Sequence, residues 1–554
     1  MVSHTGAHHQ ETLRRRAPLL ASGALFLALA AATTWAWEPC HDEGVTFAQV
    51  FGSVGLSGQT PSRVGDLYAA FDAADEFAPG RVVEALRQGM HPPAYYVFLH
   101  TYARLFGTGT LALRVPAYLF GLLSLWGIAA VARRVVPVPG AGGWAALLFA
   151  VSPWFIGMTN YLRPYGLALC IALGSTAILL HSTSACAPKP RALARVAFVL
   201  LSALGLYTIY HYAFVLVWQF SFLALVACLG PRERRVREFV ALTAMGILIA
   251  LAYAPWLPTL ARHLEVTGEP HWYFSREMPA ARWPLALAQL LQRFALGRTD
   301  LVADFAYTGP IFWVLVAFTA VAFARSVRRR RLYSEDVAAR AFWISAPLLP
   351  LLIAAADRWH GTHTLFLTKL SFGLFPLLVL ALIGSWHAAP DRRLRVVGLA
   401  AFAALFAAVS IHNVVAQLQR VSDFERISAD LSAANTRSHV VVLSSRTRGY
   451  VVPLLLLLRD ADAGQLRMGA ASRDELPALI DALTSDASVR RISLVGFSLG
   501  TDPEWGTRLL GRTMMKARRR GYELREPGRQ PGPAVDAASI LTLVRGAAVR
   551  FCSM

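Results

Sequence analysis

Two short stretches near the start of this 554-residue sequence carry residue types that could do chemistry. The first is Trp37-Glu38-Pro39-Cys40-His41-Asp42-Glu43, whose carboxylate pair follows an apolar run by only a few residues. A carboxylate held just above a membrane surface can serve as a general base toward a hydroxyl. An isolated acidic pair is more often a solvated loop acid; the fixed height of Asp42 and Glu43 over the apolar run is what argues for chemistry. The second stretch is His91-Pro92-Pro93-Ala94-Tyr95-Tyr96. Proline presets its own backbone angle and keeps the preceding residue extended, so the pair pins His91 at the start of a helix. A helix start offers backbone N–H groups to an anion, although the same motif can serve only to begin the helix.

The elements that must position these residues are membrane spans. Hydrophobic residues make up 55% of the chain and charged residues only 16%, against about a quarter charged in a soluble domain. That balance excludes an ordinary soluble enzyme. The formal charge of +20 does not point to nucleic acid, because the arginines lie in short clusters between apolar runs. Cys40, Cys170, Cys186, Cys228 and Cys552 show neither metal spacing nor a disulfide framework.

Arg14-Arg15-Arg16 precede an apolar run over 17–37 that is long enough to span and reads as an uncleaved first helix; a cleaved signal peptide begins in the same way. Further spans are expected near 111–132, 142–158, 163–183, 195–211, 212–229, 239–258, 308–325, 341–356, 370–386 and 396–415. That makes about eleven, each close to the roughly 20 residues a crossing needs. With a cytoplasmic N-terminus, the clusters at Arg14–Arg16, Arg133-Arg134, Lys189/Arg191, 232–237, 325–331 and 392–395 all fall on one side. The outer side then holds the loop 38–110, turns near 159–162 and 210, 259–307, 357–369 and everything after about 415. Trp35, Trp37, Trp256, Trp272 and Trp359 gather at that boundary, as interfacial aromatics do.

The expected fold is a polytopic α-helical protein of the plasma (inner) membrane, with a transmembrane domain at 1–415 and a small α/β extracytoplasmic domain at 416–554. In the latter, His439 to Ser444 and Arg491 to Val495 read as buried strands, and Asp474 to Thr484 and Asp502 to Arg520 as helices. Cys40 and Cys552 would both lie outside, where a disulfide and two free thiols are equally open readings.

Taken in order, the motifs resemble one family. His91-Pro92-Pro93-Ala94-Tyr95-Tyr96 is followed by Leu105-Phe106-Gly107, Ala112-Leu113-Arg114-Val115-Pro116 and Phe120-Gly121-Leu122-Leu123. Ser152-Pro153-Trp154, Arg163-Pro164-Tyr165 and Leu206-Tyr207-Thr208-Ile209-Tyr210-His211 continue the series, which weakens at Asp423-Phe424-Glu425-Arg426. The series is similar to that of the GT-C polyprenyl-phosphate-sugar glycosyltransferases, in the branch that includes protein O-mannosyltransferases and the aminoarabinose transferase of lipid A.

The resemblance covers most of the chain. It implies a GT-C-like fold and a polyprenyl-phosphate-linked sugar donor. It also implies a lipid, polysaccharide or protein acceptor at the outer membrane face, with no nucleic-acid partner. Asp42 matches the family's catalytic aspartate, with Glu43 beside it. His91 matches the first position of the His/Lys-Pro-Pro motif near the donor phosphate. Arg163 matches an arginine at the outer end of the fourth span, placed where charge on a departing phosphate needs positive compensation. Tyr95, Tyr165 and His211 lie in the matching motifs and are candidate substrate-binding residues. Trp272, in the aromatic outer loop His271-Trp272-Tyr273-Phe274, is another, although interface anchoring also explains it.

The sequence departs from the family pattern twice. Where the family often has Gln-Glu-Ala-Arg, this chain has Asn160-Tyr161-Leu162-Arg163, so a carboxylate is missing and more weight falls on Asp42 and Glu43. Where a late span often opens with Arg-Tyr, Lys369-Leu370 stands here. Lysine keeps the charge for a phosphate but loses bidentate binding; a snorkelling interfacial lysine would look the same.

Asp357, His360 and His363 have a spacing that could hold a divalent metal, without a second ligand set; no other cofactor is implied. Gly496-Phe497-Ser498-Leu499-Gly500 fits a nucleophile elbow, but no histidine follows Ser498, so it reads as a strand-to-helix turn. A transporter or flippase of lipid-linked sugars would show mid-membrane ionisable residues and repeated halves with broken helices. It remains the alternative, beside an inactive family member that binds a partner. On the transferase reading, Asp42→Asn in a well-expressed protein lowers sugar transfer about 10²-fold or more. Undiminished transfer removes Asp42 from the catalytic role.

Overall fold

The computed structural model describes residues 4–36, 78–89, 91–108, 110–136, 138–184, 188–266, 283–296, 336–360, 369–387 and 391–419, parts of 43–51 and 313–321, Val489, and the strands and helix of the second unit given below. The chain divides into two compact units, Met1–Trp37 with Leu86–Leu418 and Glu38–Ala85 with Gln419–Met554.

The described part of the first unit is helical. In chain order run α1 (His4–Ala36), α2 (Pro79–Arg87, shared between the units), α3 (Ala94–Phe106), α4 (Thr110–Val135), α5 (Ala141–Ala150), α6 (Pro153–Asn160), α7 (Tyr165–Ser184) and α8 (Pro188–Thr208). They are followed by α9 (Tyr212–Leu229), α10 (Arg232–Tyr253), α11 (Leu257–Val266), α12 (Trp283–Leu296), α13 (Val337–Ser345), α14 (Leu348–His360), α15 (Leu374–His387) and α16 (Arg392–Gln419). Among the described residues, 8 segments are long and apolar enough to cross a membrane, or 9 if a bent pair counts as one span. The protein is therefore a polytopic α-helical membrane protein.

Several span boundaries differ from those expected. The single crossing near 142–158 is instead α5 and α6, bent by 63°. Ser152 caps the second half by accepting from the Phe155 N–H at 3.3 Å, and Pro153 occupies its first turn. Both features start a helix rather than continue one. Ser410 Oγ donates to the Val151 carbonyl at 2.8 Å, satisfying a group at the break. The span near 239–258 is part of a longer segment, Arg232–Glu265, with a 3-10 turn at Ala254–Trp256. The apolar helix α15 has only 14 residues, and 308–325 lies mostly outside the described residues. These two segments make up the difference from the expected number.

Helices approach closely where a residue lacks a side chain, the usual means of tight contact in a bilayer. A Cβ on Gly205 would lie 2.5 Å from the ring of Tyr212, and one on Gly127 2.9 Å from the Leu173 side chain. Several polar side chains within the bundle pair with one another, since lipid offers them no alternative. Gln219 Nε2 donates to Ser175 Oγ at 2.8 Å and to Thr176 Oγ1 at 2.9 Å, and a hydrogen bond of 3.1 Å joins Ser175 Oγ and Tyr212 Oη. At one end of the bundle, Arg134 pairs with Asp336 at 3.5 Å, and Arg191 and Arg195 converge on Glu238.

The second unit contains a six-stranded sheet. Its strands are β1 (Ser62–Arg63), β2 (His439–Leu443), β3 (Arg467–Ala470), β4 (Arg491–Gly496), β5 (Tyr522–Arg525) and β6 (Ser539–Arg545), in the order β1-β3-β2-β4-β6-β5. Strand β2 is parallel to β3 and β4, whereas β6 is antiparallel to β4 and β5. Helix α17 (Leu476–Ser485) lies between β3 and β4 in sequence; both strands run parallel to β2 on either side of it, and a crossover between parallel strands needs such a connection. The pairing of β1 with β3 brings the stretch after the first span into the sheet of the C-terminal segment. The expected helix at Asp502 to Arg520 and Ser498 lie outside the described residues, as do Cys40 and Cys552.

Because the Tyr212 ring occupies the space over Gly205, Gly205→Ala should destabilise the protein by about 1–3 kcal/mol. Gly157→Ala, whose Cβ would meet nothing within 4 Å, should be neutral or stabilising by about 0.5–1 kcal/mol. Thermal unfolding in detergent compares the two.

Candidate functional site

The double proline starts α3. Pro93 is its N-cap, at φ −85° and ψ −22°, and its carbonyl accepts from the Val97 N–H at 2.9 Å. The helix buries Tyr95, Tyr96, Leu99, His100 and Ala103, positions three to four apart that share one face. It ends at Gly107, whose φ of +93° favours a residue without Cβ. Just before the helix, the ring of His91 stacks on Tyr96 with centroids 5.7 Å apart and planes 25° apart. Tyr95 meets Tyr96 edge to face at 5.5 Å.

Arg163 reaches the same tyrosine from elsewhere in the sequence. Its Nη1 donates to Tyr96 Oη at 3.2 Å. Arg163 is 6% exposed, and removing a charge from water is costly unless its donors are engaged. The phenol of Tyr96 fixes the direction of one of these donors. Arg163 occupies the turn between α6 and α7, and that turn is held at its base by Asn160. The Asn160 side chain accepts from Thr34 Oγ1 at 2.5 Å and donates to the Ile156 carbonyl at 2.9 Å, while its own carbonyl accepts from Arg114 Nε at 3.2 Å. Tyr118 Oη shares a further hydrogen bond with Thr34. Within the turn the Arg163 N–H donates to the Tyr161 carbonyl at 2.7 Å. Pro164 then sets the start of α7, where Tyr165 is buried and stacks on Tyr161 at 6.1 Å.

His91, Tyr95 and Arg163 are thus brought together through Tyr96. The other expected residues lie in different surroundings. Lys369 is half-buried in the turn before α15. His211 begins α9, with its ring 5.9 Å from that of Phe214. Burial lowers its pKa to about 4 against an opposing pull from the Asp357 carboxylate, so the imidazole is neutral near pH 7. Glu43 belongs to the second unit and is helical and fully buried, not exposed in an open loop. Asp42 and Trp272 lie outside the described residues. Among the described residues no group of three or more His, Cys, Asp or Glu could hold a metal ion. Asp357 is buried in α14, and His363 lies outside the described residues.

Tyr96 stands in the same motif as Tyr95 and is the tyrosine that meets both His91 and Arg163. In the sequence, Asn160 stands out only as part of a departure from the family pattern. A buried amide that both donates and accepts has no signature in sequence alone. The turn joining α8 and α9 is likewise engaged through Tyr210 rather than His211: Tyr210 Oη lies 2.7 Å from His263 Nδ1 and accepts from Trp256 Nε1 at 3.0 Å.

Since its pKa lies below the ordinary 6.5, His211 takes up a proton in the unfolded chain before it does in the folded one. Its contribution to stability is present above about pH 6.5 and is lost as the pH falls toward about 4. The fall in unfolding temperature between pH 7 and about pH 4.5 should therefore be smaller in His211→Gln than in the wild type.

No family model matches the sequence, and no curated protein does. Among solved structures, ArnT from Cupriavidus metallidurans bound to undecaprenyl phosphate aligns over 95% of this chain and 98% of its own, with a TM-score of 0.48 and 14% identity. The apo state of the same protein aligns over 91% of this chain and 96% of its own, with a TM-score of 0.38 and 13% identity. Both alignments run over nearly the whole of this chain at low identity.

Proposed function

We propose that this protein is an integral-membrane glycosyltransferase that moves a sugar, with inversion, from a polyprenyl phosphate to an acceptor hydroxyl at the outer face of the membrane. The observation that carries the reading is the convergence of two motif segments about seventy residues apart on one phenol: His91 stacks on Tyr96, and Arg163 donates to it. Donor-phosphate contacts are expected of both segments. ArnT binds undecaprenyl phosphate, and we extend that class of lipid to this chain on the strength of these residues.

In the proposed reaction, ionised Asp42, with Glu43 beside it, takes the proton of the acceptor hydroxyl as its oxygen attacks the anomeric carbon. The bond from that carbon to the phosphate oxygen breaks, and the polyprenyl phosphate leaves with the electron pair. Arg163, His91 and Lys369 stabilise the developing charge, while Tyr95, Tyr165, His211 and Trp272 contact the sugar and lipid. The topology that goes with it has a cytoplasmic N-terminus and about eleven spans. It includes α15 and the stretch 308–325, with 416–554 as an extracytoplasmic domain.

The break between α5 and α6 is a feature that a transporter would share, so the assay has a transport arm. Comparing envelope glycans with and without the gene identifies the missing linkage. Purified protein in vesicles with the matching polyprenyl-phosphate sugar should then transfer it. Arg163→Lys should lose roughly 10- to 100-fold in kcat/KM, because lysine cannot reproduce the planar fork. Donor translocation without transfer would make the protein a transporter.

A further inference from the structure

A second set of hydrogen bonds ends at the Arg87 carbonyl, four residues before His91. Trp256 Nε1 donates to Tyr210 Oη at 3.0 Å, since an indole N–H can only donate. Tyr210 Oη lies 2.7 Å from His263 Nδ1, and His263 Nε2 lies 3.2 Å from the Arg87 carbonyl. A carbonyl can only accept, so in the neutral ring the proton is on Nε2, Nδ1 is the acceptor, and Tyr210 donates to it. Every proton in the series is directed by the two ends. Trp256 and His263 are buried, at 4% and 3% exposure.

The carbonyl at the end of this series is a particular one. Arg87 is the last residue of α2, and a helix's final carbonyls have no acceptor role within it. The Gly89 N–H closes on the Leu86 carbonyl at 3.0 Å, and the Arg87 carbonyl accepts from His263 Nε2. His91 follows four residues later, and Pro92 and Pro93 stiffen the chain beyond it.

We propose that His263, held by Tyr210 and Trp256, is a positioning residue for the donor-phosphate site. It anchors the chain at Arg87 just before His91, as Arg163 anchors it at Tyr96 just after. The inference rests on the transferase reading for its purpose, but not for its geometry.

The test uses the full chain in detergent, with undecaprenyl phosphate as the probe. His263→Phe removes both hydrogen bonds, whereas His263→Gln can keep a donor and an acceptor. In His263→Phe, amide exchange over 88–91 should accelerate about tenfold or more, and probe affinity and kcat/KM for transfer should fall about tenfold. His263→Gln should restore most of both. In a His91→Ala background the same substitution should cost little further affinity, because it acts through His91. Should His263→Phe fail to fold, Tyr210→Phe, which removes one hydroxyl, takes its place with smaller effects of the same sign. Unchanged exchange over 88–91, or an affinity loss equally large without His91, overturns the proposal. A wild type that binds no undecaprenyl phosphate overturns the transferase reading instead, and the exchange measurement still decides whether His263 anchors this segment.

Discussion

The hydrogen bond from Arg163 to Tyr96 joins two parts of the chain that each depend on a proline-led helix start. On one side, Pro92 and Pro93 begin α3 and set which residues face inward, so that Tyr96 is fully buried. On the other, α6 ends at Asn160, the chain turns, and Pro164 leads into α7 with Arg163 inside the turn. A buried guanidinium tolerates little freedom, because each donor removed from water needs a partner in a defined direction. That requirement turns a flexible side chain into a placed charge. The break at Ser152 belongs to the same arrangement, since it redirects the half-helix that carries Asn160 to this end of the bundle.

Elsewhere, the bundle obeys the rules of a solvent that cannot hydrogen-bond. Polar side chains within the helices find one another, as Gln219, Ser175, Thr176 and Tyr212 do, and glycines let aromatic rings lie directly on a neighbouring backbone. The bundle's two ends differ in chemistry. One carries arginine–carboxylate pairs that join helix starts, such as Arg195 with Glu238. The other carries neutral or singly charged groups held by phenols, amides and carbonyls, including Arg114, Asn160, Tyr96 and His263. Hydrogen bonds to phenols and carbonyls are directional, so they fix where each of these groups points.

Much of this was legible in sequence where the signal is local. Apolar runs near the length of a bilayer crossing announced the spans, and their spacing placed α4, α7 and α9 within a few residues. Alternating apolar runs announced β2 and β4, and a short periodic stretch announced α17. Hydropathy could not show the break at Ser152, because two short apolar helices in succession have the same composition as one long one. Strands such as β1 and β5 are too short to carry a period of their own and exist through their partners.

For the site, the sequence by itself determined the inventory. It supplied a histidine before a double proline, an arginine before a proline, and a carboxylate pair just beyond the first span. It also determined the class of environment, since so apolar a chain belongs in a bilayer. Only the tertiary structure decided which of these residues meet. It selected Tyr96 rather than Tyr95 as the shared partner, Tyr210 rather than His211 as the engaged group of its turn, and Asn160 as the hub beneath Arg163. The physical reason is that hydrogen bonding is directional and acts at about 3 Å. Residues dozens of positions apart enter that range only after the helices have packed.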